Sequence, residues 1–402
     1  MDTSQPTSSS MNTNQRRNLA RLYLAAVFFF WASMYVYMPT LPQYVQGKTN
    51  QLALVGIVLS MYGLWQALLR LPLGVASDRV GRRKPFIIIC FIFSALGAWL
   101  MSTSSDALWL GIGRGITGLA AAGWVPLVVA FSGLFPPKDA IKAATILSFT
   151  NFISRMLITN LTGFLNEIGG YSLAFYVAIG LSALAVLAIS FAKEERIPSK
   201  ITSIQDIGRI IIRKDVILPS MLGAVNQYAV FATTFAFMPI LAKQLGATDV
   251  TQSILMSFFG IGAMMLGSLM ISKLMKQFET RNLIYVSFIL TASGIGILAL
   301  ASTLWMVFVA QFLIGFASGI GYPTLMGLSI ERVSESERAT AMGVFQSVYA
   351  FGMFAGPYLN GWLADAMGLP YMFVANAIVV FLLGMLGTIF LNRSKEQLIR
   401  SS

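Results

Sequence analysis

Histidine is absent from this chain of 402 residues, cysteine occurs once, and charged side chains make up only 11% of the total. Each scarcity closes a class of function. Without imidazole there is no histidine metal site, no imidazole proton relay and no nucleophile paired with a histidine base. The single thiol, Cys90, excludes an internal disulfide. The 16 Asp and Glu fall in tails, loops or the ends of apolar segments. No carboxylates therefore cluster for acid–base catalysis, and none stands mid-segment to carry a proton. The chain reads as a protein that is not an enzyme and that needs neither metal nor cofactor. Its leading residues, 1–18, are rich in Ser, Thr, Gln and Asn and lack an apolar core. They read as a disordered cytoplasmic tail, not a cleavable signal.

What the chain has in abundance is apolar length: 56% of its residues are hydrophobic and the mean hydropathy is +0.73. Crossing a hydrocarbon core as a helix takes about 20 apolar residues, because in lipid each segment must satisfy its own backbone hydrogen bonds. Twelve such stretches are predicted, over 20–46, 53–77, 85–104, 107–131, 142–166, 171–192, 216–242, 251–272, 282–301, 304–330, 339–365 and 369–391. Charge placement agrees with that number. Arg79, Arg82, Arg83 and Lys84, then Lys138 and Lys142, then Lys193 to Lys214, then Lys273 to Arg281, then Arg332 and Arg338 occupy every second connection. The alternate connections hold only Lys48 and Lys243. Cations gather on the cytoplasmic side of membrane proteins, so both termini are expected there, in a multi-pass protein of the cell membrane. The net charge of +12 then reflects topology and lipid headgroups, and nucleic acid is not an expected partner.

The chain also repeats itself. At an offset of 197, Gly118, Ala120 and Pro126 meet Gly315, Ala317 and Pro323, and the register runs on without a gap to pair Ala144 with Ala341. At 198, Gly163, Glu167, Gly170 and Phe175 meet Gly361, Asp365, Gly368 and Phe373, and at 200 Met38-Pro39 meets Met238-Pro239. Two six-helix bundles, 19–192 and 216–392, are thus expected to flank a cytoplasmic linker over 193–215, with a cytoplasmic tail over 393–402. Parallel halves of this kind rock against each other about a site at their interface.

The loop between the second and third stretches reads Gly74, Asp78, Arg79, Gly81, Arg82 and Arg83 in the pattern G-x-x-x-D-R-x-G-R-R, and Arg114 and Gly118 give R-x-x-x-G in the fourth. With these motifs the whole chain resembles the major facilitator superfamily. That resemblance implies an all-α integral membrane fold of twelve helices in two halves and a drug-exporter-like secondary transporter. It also implies a gating role for the loop, in which Asp78 is held by neighbouring arginines and by the start of the eleventh helix. The family's antiporter signature is missing from the fifth stretch, and its look-alike, Gly352, Gly356 and Pro357, lies in the eleventh.

Arginine in mid-bilayer costs about 2.5–3.5 kcal/mol on insertion scales, so Arg70, Arg114 and Arg155 need reasons. Ser148, Asn151, Arg155, Thr159 and Thr162 form one polar stripe at helical spacing, either a substrate path or a packing device. Arg114 is either a structural ligand or a pathway group, with Glu167 as candidate partner, and Arg70 reads as structural. Trp31, Tyr35, Trp124, Asn226, Gln227, Phe231, Gln311, Gln346 and Tyr349 complete the candidate lining, which suits an amphipathic molecule. Gly113, Gly115 and Gly118 mimic a dinucleotide motif, but no strand precedes them. The expectation is a monomeric carrier exporting a small amphipathic or anionic organic compound by alternating access. A proton-coupled multidrug exporter, an organic-anion importer and a non-transporting membrane sensor remain alternatives.

Overall fold

The computed structural model describes residues 13–135, 139–194, 204–334 and 337–400, and among these every regular element is a helix. In chain order they are α1 (Thr13–Tyr35), α2 (Leu41–Gln46), α3 (Leu52–Val80), α4 (Lys84–Thr103), α5 (Ala107–Ala122), α6 (Trp124–Ser132) and α7 (Ala140–Ser190). The short α8 (Ile204–Ile211) leads into α9 (Lys214–Ala232), α10 (Met238–Gln244), α11 (Asp249–Ile254), α12 (Ala263–Gln277), α13 (Thr280–Ala299), α14 (Leu304–Glu331) and α15 (Arg338–Arg400).

Nine of the described helical segments are long and apolar enough to cross a membrane, and two of these are hairpins. α7 breaks at Gly170 (φ 67°, ψ −178°) and α15 at Gly368 (φ 81°, ψ 162°), backbone angles that only glycine adopts without strain. Each hairpin supplies two crossings, and α1 with α2 supplies another, which gives the expected twelve.

Several boundaries differ from expectation. Residues 13–18, expected to be disordered, are the first turns of α1, while the rest of that expected tail, 1–12, lies outside the described residues, as do 195–203 of the expected linker and 401–402. The first crossing is not continuous over 20–46: Pro39 and Pro42 lack amide donors and disfavour helix before them, so the chain turns between α1 and α2. Pro126 likewise cannot bond the Ala122 carbonyl, and the fourth crossing divides into α5 and α6. The seventh and eighth crossings contain π-helical turns at Thr233–Phe237 and Leu255–Gly262. Within the linker, α8 packs Ile210 on Val216, Val333, Ala341 and Val344, and the expected tail continues helical through Arg400.

The end of the bundle at which α1 begins and α15 finishes, the terminal end, also carries the Gly74–Lys84 loop and α8. At the opposite, distal end the halves meet closely. A Cβ on Gly56 would strike the Pro357 carbonyl oxygen and come within 2.9 Å of Gly361 Cα, so the second and eleventh crossings touch backbone to backbone there.

Candidate functional site

At the terminal end the motif loop is built from helix-end chemistry. Gly81 (φ 68°) ends α3 in the left-handed region, with its N–H on the Ser77 carbonyl at 3.2 Å. Asp78 pairs with Arg83 at 2.8 Å, while Arg79 and Arg82 are exposed. Gly74 faces Val125 of α6. Glu194, a residue the sequence did not single out, accepts the N–H groups of Arg83 and of Lys84 (2.8 Å) and so caps α4. Lys84 Nζ returns 2.7 Å bonds to the Ser190 and Ala192 carbonyls at the end of the sixth crossing. These contacts lie within the first half. The expected contact of Asp78 with the start of the eleventh crossing is not among them.

Deeper in the bundle, each of the three intramembrane arginines lies on a tyrosine. Arg114 Cζ is 4.1 Å from the Tyr62 ring centroid, Arg155 Cζ is 4.0 Å from that of Tyr35, and Arg70 Cζ is 5.0 Å from that of Tyr349. Among the described residues, none of the three makes an ion pair. At 1.5 Å of rise per residue, Arg70 stands about 15 Å from the terminal end of α3, Arg155 about 22 Å along α7, and Arg114 about 10 Å from the distal start of α5. The three guanidinium groups are thus staggered from one end of the bundle to the other.

Their surroundings explain how the sequence achieves this. Gly118, one turn beyond Arg114, has no side chain to collide with the Tyr62 backbone, so Tyr62 reaches the guanidinium. Arg114 also approaches Thr117 Oγ1 at 3.4 Å. Glu167, its expected partner, is exposed at the distal rim and is not paired with it, because the Tyr62 face, not a carboxylate, covers the buried guanidinium.

The rings form a belt between the halves. Trp31 contacts Trp124 (5.5 Å) and Tyr35 (6.0 Å), Tyr35 meets Phe235 (6.0 Å), and Tyr62 stacks on Phe231 (6.0 Å, 13°). The bridging partners Phe235 and Tyr62 escape the sequence reading, although Tyr62, Gln66 and Arg70 share one helical face.

Beside this belt Trp31 Nε1, Asn151 Oδ1 and Arg155 Nε are buried without a partner, and so is Asn226 Nδ2, which faces Gly321 within the second half. Asn226 Oδ1 accepts from Ser318 at 2.9 Å, and Gln346 Oε1 accepts from Arg70 at 3.2 Å. Thr159 bonds back to the Arg155 carbonyl at 2.7 Å, and Thr162 reaches the Val36 carbonyl at 2.6 Å. Part of the polar stripe is therefore internal helix bonding and packing, and Gln227 is half-buried without a hydrogen bond among the described contacts.

At the distal end, polar bonds join the two halves. Asp365 accepts the N–H groups of Leu52 (2.7 Å) and Ala53 (2.9 Å), capping α3 from the eleventh crossing. Gln43 donates to Gln252. Asn166 donates at 2.9 Å both to Thr40 and to Asp249, which also pairs with Lys243 at 3.3 Å. The distal mouth is shut in this conformation.

Comparison with known proteins places this architecture. A sequence model described as Major Facilitator Superfamily matches residues 23–235 and 220–402. The chain belongs to the major facilitator superfamily. Among superfamily relatives, an uncharacterized MFS-type transporter of Methanocaldococcus jannaschii is 22% identical, over 91% of this chain and 98% of its own. The class H tetracycline resistance protein of Pasteurella multocida is 24% identical, over 81% and 84%. Among solved structures, a bacterial homolog of the human lysosomal transporter Spinster, inward-facing and unoccupied, superposes with a TM-score of 0.77 at 16% identity, covering 95% of this chain and 98% of its own. The human organic anion transporter MFSD10 gives 0.68 at 15%, covering 93% and 99%.

Proposed function

We propose that this superfamily member is a secondary active transporter that exports a small amphipathic or anionic organic compound across the cell membrane by alternating access. The termini are cytoplasmic in this reading, the monomer is the working unit, and the Gly74–Arg83 loop gates the cytoplasmic side. One observation carries the proposal. The Arg155 guanidinium lies mid-crossing against ring faces, without a carboxylate, and both its own buried Nε and the Trp31 Nε1 next along the belt lack acceptors.

Buried donors without acceptors are costly, and a guanidinium among them favours a ligand that brings negative charge and oxygen lone pairs. The aromatic belt suits the apolar body of the same molecule. An inside-negative potential drives an anion outward with about 2.3 kcal/mol per charge per 100 mV, and no proton relay is needed for that. A fold neighbour named as an organic anion transporter is in keeping with this reading.

The test is flux in proteoliposomes for a panel of radiolabelled organic anions and neutral compounds, under imposed potential or pH gradients. Anion flux that Arg155→Ala abolishes is the expected result. If Arg155→Ala leaves transport of every compound unchanged, the proposal fails.

A further inference from the structure

Arg70 is 3% exposed, and all its hydrogen-bond partners are neutral. Nη1 donates to Gln346 Oε1 at 3.2 Å and to the Tyr349 hydroxyl, both on the eleventh crossing, in the other half of the molecule. Nη2 donates to Gln66 Oε1, one turn back on its own helix, and Gln66 is itself fixed by a 3.2 Å bond from its Nε2 to the Tyr62 carbonyl. Nε is buried and has no partner.

The guanidinium is therefore used unevenly. Its Nη1 side is committed to the second half. Its Nε–Nη2 edge holds one unpartnered N–H and a second nitrogen with two hydrogens, of which Gln66 takes one. That edge has the side-on geometry with which arginine grips a carboxylate in two parallel bonds.

Packing does not require this arrangement. In the register that pairs Gly63 with Gly260, at an offset of 197, Arg70 falls on Gly267 and Gln66 on Ala263. Gly267 packs directly on the Phe316 and Gly319 backbone. The second half thus fills the equivalent place with helix contact alone, and the cation with its neutral cradle belongs only to the first.

We propose that Arg70 is a second anion-reading group on the path, offering the Nε–Nη2 edge of its guanidinium to the carboxylate of an organic acid. Gln346 and Tyr349 are positioning residues that fix the plane of the fork from the opposite half. Because Arg70 and these two residues belong to halves that rock apart, the acid reaches the edge when the terminal end opens, and Gln346 and Tyr349 fix the fork on it as that end closes. The cargo then enters the path under the hold of Arg70 and passes to Arg155, roughly a turn or more deeper in the bundle. This inference rests on the anion reading above and adds the acid's entrance contact to it.

The test pairs 1-naphthoate with its neutral amide, 1-naphthamide, as binding probes for the purified full-length protein, with affinity read from tryptophan fluorescence. Wild type is expected to prefer the carboxylate. Arg70→Lys keeps the charge but loses the fork, and is expected to lower that preference roughly tenfold or more while leaving naphthamide binding unchanged. Tyr349→Phe removes one Nη1 acceptor without altering any charge, and is expected to lower the preference severalfold. It also keeps the test open if Arg70→Lys does not fold. A wild-type preference that survives in both variants but vanishes in Arg155→Ala overturns the assignment of Arg70 and leaves the anion reading standing. A wild type that binds naphthamide as tightly as naphthoate overturns both.

Discussion

Removing the Asp365 carboxylate is the sharpest available perturbation of the conformational equilibrium. Its two oxygens accept the Leu52 and Ala53 N–H groups at 2.7 and 2.9 Å, across the interface between halves, at the positive end of α3. Losing a helix cap costs roughly 0.5–2 kcal/mol, and because Asp365 is exposed a value of about 1 kcal/mol is appropriate. That energy is present only while the distal mouth is shut, so Asp365→Ala should raise the ratio of distal-open to distal-closed molecules about fivefold. Nitroxide labels on Asn50 and Met367, both exposed and on opposite halves, report the opening by pulsed electron-spin distance measurement. Cys90, the one native thiol, is buried and is replaced by serine for the purpose. Glu167, the repeat counterpart of Asp365, is exposed and caps nothing in this conformation, so Glu167→Ala is the matched control. A distance distribution in Asp365→Ala that superimposes on wild type, or an equal shift in Glu167→Ala, would refute the latch.

Other substitutions probe different contacts. Gly56→Val places a branched side chain against the Pro357 carbonyl and should block distal closure, seen as a dominant long distance between the same two labels. Glu194→Ala uncaps α4 and should cost about 1 kcal/mol, read as a lower melting temperature in detergent, with Lys84→Ala following in the same direction. Tyr35→Leu removes the ring under Arg155, an interaction of about 0.5–2 kcal/mol, and should change the KM for anion flux severalfold, whereas Tyr35→Phe should retain most of it.

Much of the architecture is legible because lipid imposes strict rules on sequence. Apolar length and alternating cations mark the crossings, and the pairing of Glu167 with Asp365 marks equivalent helix ends. Gly81 reads as a helix stop from its place in the motif, and its φ of 68° agrees. Breaks within crossings are harder to read, since Pro39 and Pro126 interrupt apolar runs that remain apolar on both sides.

The candidate site is legible residue by residue, but its pairings are not. A sequence names Arg114 and Glu167 as opposite charges near one end, yet helix rotation turns Glu167 to the exterior and Arg114 onto Tyr62. The contacts of Arg70 cannot be read from the sequence, because its acceptors Gln346 and Tyr349 lie more than half the chain away and carry no charge to betray them. Asp365 and Glu167 look interchangeable as repeat mates. The packing of the second crossing against the eleventh is what distinguishes them.

The most direct measurement is the current produced by reconstituted protein on a solid-supported membrane when an organic acid is added at equal pH on both sides. An arginine path without buried acids predicts net movement of negative charge in the direction of the anion. Electroneutral transport, or flux that occurs only with a pH gradient, would contradict it.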